Sequence, residues 1–75
     1  MNRDIQVDVP EEEVGYIIRA IKDRLHNIGK SYQQNGRSYA DDLDIASLCR
    51  FARQLGYEID VTDNGHGFAI NSNPL

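Results

Sequence analysis

The chain has little of what most catalytic or metal sites are built from. It holds one cysteine, Cys49, which excludes an internal disulfide framework and a cysteine-rich zinc site and suits a reducing compartment. There are two histidines, His26 and His66, and neither falls at a metal-ligand spacing. Tryptophan is absent and proline occurs twice. No apolar run approaches membrane-spanning length. Met1-Asn2-Arg3-Asp4 leads into an acidic segment with no apolar h-region, so no secretory leader is expected and the chain reads as cytoplasmic. Cations are also short: 8 Lys and Arg stand against 12 Asp and Glu, a formal charge of -4. That balance argues against affinity built on phosphate neutralisation, so no direct nucleic-acid partner is expected. No phosphate cradle, metal site or catalytic constellation stands out, and no cofactor is expected. Gly65-His66-Gly67 is too short for a phosphate cradle and lies inside a hairpin pattern.

What the chain does have is periodicity. Ile45, Leu48, Cys49, Ala52 and Leu55 mark one face of a helix over Asp42–Leu55. Asp41…Asp44 resembles a capping box with Asp where Glu is usual, and Gly56 is placed to be the C′ glycine. Tyr57 to Thr62 then alternates apolar and polar, as a strand with one buried face does. Asn64-Gly65 reads as a type I′ turn. That turn sets Val61 opposite Phe68, Ile59 opposite Ile70 and Asp63 opposite His66.

Toward the N-terminus, Ile5–Val9 reads as a short strand stopped by Pro10. Glu11-Glu12-Glu13 open a helix whose stripe is Val14, Ile17, Ile18, Ile21, Leu25 and Ile28, with Gly29 as its C′ residue. Gly15 inside that helix suggests a closely packed neighbour. Residues 30–40 read as a polar loop, with room for a poor strand at Arg37–Ala40. Residues 72–75 read as a frayed tail. The order β-α-(β)-α-β-β implies an α+β two-layer sandwich, a single domain over residues 1–71 with two helices on one face of a small mixed sheet.

Part of the chain resembles the TusA/SirA-like sulfur-carrier family. Ala40-Asp41-Asp42, Asp44-Ile45 opening a helix with Leu48-Cys49-Arg50-Phe51, Gly56-Tyr57-Glu58-Ile59 and Phe68-Ala69-Ile70 carry the likeness in the C-terminal half. Val9-Pro10-Glu11-Glu12 stands where that family has Cys-Pro-x-Pro before its first helix. The resemblance implies the same architecture. Val9 occupies the sulfur-accepting position and Glu12 that of the second proline, which argues against inherited sulfur transfer.

The candidate site residues are therefore surface groups. Glu58 and Asp60 fall on the sheet face away from the core, with Asp63 nearby, and can meet a basic protein surface. Tyr32 and Tyr39 flank a polar segment containing Arg37; tyrosine beside small polar residues is common at protein contacts and is equally a way to pin a loop to a sheet. Cys49 lies among apolar neighbours and reads as a core residue; His66 and His26 read as exposed. A winged-helix DNA binder is a further alternative, with Asp42–Leu55 as recognition helix, but three aspartates crowd that helix's first turn. The expected function is a small acidic, non-catalytic protein-binding module: a regulator, inhibitor or accessory subunit. Phages and mobile elements often carry such chains, which is an association only. A divergent sulfur carrier is the alternative.

Overall fold

The computed structural model describes residues 8–75. Two helices, α1 (Glu11–Asn35) and α2 (Tyr39–Gln54), precede an antiparallel hairpin of β1 (Tyr57–Asp63) and β2 (Phe68–Pro74). This is an α+β fold. Both helices cover the same face of the hairpin, α1 against β2 and α2 against β1. The result is a thin body of 36 × 31 × 16 Å. The expected Ile5–Val9 strand lies mostly outside the described residues, and Asp8 and Val9 are in neither helix nor strand.

α1 is longer than its sequence suggests. Its first turn carries Glu11, Glu12 and Glu13, where the helix dipole favours anions. It does not stop at Gly29 but runs through to Asn35, so residues 30–35, expected as loop, are helical. Gly29 has a different task. It is buried against Phe68, and a Cβ at this position would lie 2.8 Å from the Phe68 backbone nitrogen and 2.9 Å from its Cγ. Glycine lets β2 touch the helix backbone. Gly36 (φ 79°) ends the helix instead, its N–H donating to the Tyr32 carbonyl at 3.0 Å. Gly15, expected to be packed, is exposed with nothing within 4 Å of a built Cβ.

α2 starts three residues before its expected first position. Ser38 is the N-cap: its Oγ accepts from the Asp41 N–H at 3.1 Å. The cap thus belongs to Ser38, not to Asp41 or Asp42, and the strand suggested for Arg37–Ala40 is instead a short link and the first helical turn. At the other end Gly56 takes φ 90°, as the C′ reading requires.

The hairpin keeps its predicted face and changes its pairs. Val61 pairs with Ile70, Ile59 with Ser72 and Asp63 with Phe68, a shift of two residues along β2. The type I′ turn is not formed, because Asn64 does not take positive φ. Four residues, 64–67, make the loop, closed by Asn64 N–H to the Gly67 carbonyl at 3.1 Å. Two Asx turns hold it: Asp63 Oδ1 accepts from Gly65 N–H and Asn64 Oδ1 from His66 N–H. Since side chains alternate with period two, an even shift leaves every apolar residue on the same face.

Residues 72–74, expected to fray, extend β2, and Leu75 N–H still donates to the Gly56 carbonyl at 2.9 Å. That bond and the one at Asn64–Gly67 place Tyr57–Pro74 at a pairing position without ladder bonds. Pro74 therefore sits in the strand without costing a hydrogen bond.

The core is small. Ile18, Ile21, Leu25 and Ile28 of α1 meet Ala52 of α2, Ile59 of β1 and Phe68 of β2. No helix among the described residues is long and apolar enough to cross a membrane.

Candidate functional site

The last turn of α1, the 36–38 link and the first turn of α2 form one polar junction. The stripe that buries Leu25 and Ile28 continues to Tyr32, whose ring meets Phe68 edge-on with centroids 5.1 Å apart. The Tyr32 hydroxyl donates to Asp42 Oδ1. Arg37 Nε donates to both Asp42 oxygens at 3.0 Å. The hydrogen bond from Tyr32, with that from Arg37, holds the Asp42 carboxyl below its ordinary value. Burial first, and the Asp42 carboxylate second, push the Tyr32 phenol up. Tyr32 and Arg37 thus pin the link, while Tyr39 is 79% exposed. Of the two readings of this segment, Tyr32 takes the pinning one, bonded to Asp42 and packed on Phe68, and Tyr39 is left exposed.

Beside this junction an open cleft of about 360 Å³ runs between α2 and the hairpin. Ile45, Ala46, Val61 and Phe68 give it apolar walls; Tyr32, Arg37, Asp42 and Asp63 supply its polar groups.

The opposite side of the hairpin is the second surface. Glu58 and Asp60 are exposed on it, across from Asn73 and Asn71. Asp63 has the other parity: it shares the side of Tyr57, Ile59 and Val61 and lines the cleft. The three carboxylates expected together are split, two on the outer face and one on the inner. Among the described residues none of the three makes an ion pair; the pairs present are Arg24–Asp44 (3.2 Å) and Arg37–Asp42 (3.0 Å), both within the helices and their link.

Cys49 is half-buried, packed against the core. Burial, and to a lesser degree the negative charge of Asp60, push its thiol up. His66 and His26 are exposed, and the partner facing Asp63 is Phe68 instead of His66. Among the described residues no three His, Cys, Asp or Glu side chains gather as a metal site would need.

Sequence reasoning missed the joining role of Asp42 and the cleft above Val61. A signal for the helix start was present: Ser38…Asp41 is a capping pattern, which sets the start at Tyr39 and places Arg37 one residue before the cap. The cleft arises from how α2 lies across β1, which no local pattern states.

No family model, curated protein or solved structure matches the chain.

Proposed function

We propose that the chain is a small non-catalytic protein-binding module, a regulator, inhibitor or accessory subunit, that meets a basic protein surface through the outer face of its hairpin. The observation that carries this reading is the segregation of charge between the two layers. In α1, Glu11, Glu12, Glu13 and Asp23 are matched by Arg19, Lys22, Arg24 and Lys30, and in α2 with its link Asp41, Asp42 and Asp44 are matched by Arg37, Arg50 and Arg53. The hairpin and its C-terminal residue carry Glu58, Asp60 and Asp63 and neither lysine nor arginine. Glu58 and Asp60 stand exposed and unpaired among the described residues. Carboxylates on a solvent-facing sheet surface steer and select a cationic partner at no cost to the core. Tyr39, exposed at the start of α2, offers further contact area.

The divergent sulfur-carrier alternative would route its chemistry through Cys49. A thiol whose pKa is raised is a poor sulfur acceptor near neutral pH, which favours the binding reading.

Glu58→Lys combined with Asp60→Lys tests the proposal. Both side chains are exposed, so the far-ultraviolet dichroism and the melting transition should persist. Capture of a basic protein from the native source should be lost, and wild-type capture should weaken as salt rises. Undiminished capture by the double variant would remove the outer face as the interface.

A further inference from the structure

We propose that the cleft between α2 and the hairpin is a socket for an arginine side chain of the protein partner; this deepens the binding-module reading and rests on it. The cleft is open and holds about 360 Å³, room for a single long side chain entering from solvent. Ile45, Ala46 and Val61 offer apolar surface along which a methylene stem can lie.

The charge of the occupant follows from which lining groups are already used. Three charged side chains line the cleft: Arg37, Asp42 and Asp63. Arg37 and Asp42 neutralise each other, and Asp42 also accepts from Tyr32. Asp63 is the remaining charge. Its Oδ1 accepts the Gly65 N–H, and among the described residues it has no cationic partner. Glu58 and Asp60 on the same hairpin deepen the negative field, and no hairpin lysine or arginine offsets it. An anion in the cleft would meet the Asp63 carboxylate while Arg37 is already held by Asp42, whereas a cation completes Asp63. Guanidinium fits better than ammonium here. Its planar donors can pair with a carboxylate two at a time, and the Tyr32 and Phe68 rings give it aromatic surface.

The test titrates the isotope-labelled full chain with N-acetyl-arginine amide, and separately with N-acetyl-glutamate amide, following backbone amide shifts at low salt. The arginine probe should move the amides of Ile45, Ala46, Val61 and Asp63 saturably, and the glutamate probe should not. Asp63→Asn should weaken the arginine response about tenfold, the scale of one lost charge-assisted contact. Ala46→Phe, at an exposed helix position, should fill the cleft and abolish the response with the fold intact. Glutamate-driven shifts at these amides that strengthen in Asp63→Asn would make the cleft an anion site at Arg37 and overturn the proposal. Arginine-driven shifts confined to the outer face, or none at all, would overturn it too. The outer-face double variant separates the two readings. If it loses the partner while the cleft ignores arginine, the binding module stands and the socket falls.

Discussion

Two glycines on one helix show how little a residue type says until its neighbour is known. Gly15 is exposed with open space around it, and Gly29 is pressed against Phe68. Gly15→Ala should therefore raise stability by about 0.5–1 kcal/mol through helix propensity alone. Gly29→Ala forces a methyl group to within 3 Å of the Phe68 backbone and ring, and should cost about 1–3 kcal/mol. Denaturant midpoints of the two variants check this; shifts of the same sign would contradict it. Cys49 offers a second residue-level test. Burial both shields the thiol and raises its pKa, so labelling by a thiol reagent should be slow at neutral pH. Because a thiol reacts as its thiolate, the rate should keep climbing as pH passes the ordinary thiol value of about 8.5 instead of levelling off there. Fast labelling at pH 7 would favour the sulfur-carrier alternative.

At the scale of elements, local patterns carried the helix faces, the Gly56 stop and the inward side of the hairpin. They failed where a tertiary contact overrides a local signal. Gly29 follows an apolar position, as a C′ glycine does, yet its reason is the approach of Phe68, which is 39 residues away in sequence (68 − 29). Periodicity held the correction, since Tyr32 continues the stripe four residues after Ile28. The hairpin register moved because the Asx turns of Asp63 and Asn64 make a four-residue loop in place of the two-residue turn that Asn-Gly favours. Of the expected site residues, Glu58 and Asp60 were legible because alternation alone puts them outward. The same alternation puts Asp63 inward, but the cleft beside it depends on how α2 lies across β1, and the bond from Tyr32 to Asp42 depends on the length of α1. The Tyr32–Asp42–Arg37 junction also yields a pH dependence. The folded-state pKa of Asp42 lies below its unfolded value, so its contribution is complete above about pH 4 and is lost as pH falls through the lower folded value. Tyr32 has the opposite arrangement: its raised pKa gives a contribution present below about pH 10 and lost as pH climbs past that. Asp42→Asn should flatten the acid side of a plot of melting temperature against pH. An unchanged acid limb would show that the junction does not couple the two helices.

As a whole, the molecule is a thin body whose core is built from few side chains, and a chain of this size gains only modest stability from its own packing. A two-stranded sheet is the weaker layer and depends on the helices that cover one side of it. Among the described residues, the side they leave bare is the one carrying Glu58 and Asp60. A basic partner seated there would shield the bare face and offset its uncompensated charge, and by mass action would raise the melting temperature of the pair. The most direct measurement is the amide-shift footprint of the captured partner on the labelled full chain. Glu58, Asp60, Asn71 and Asn73 should move together while the exposed flank of α1 stays still. A footprint on α1 with the hairpin unmoved would contradict it.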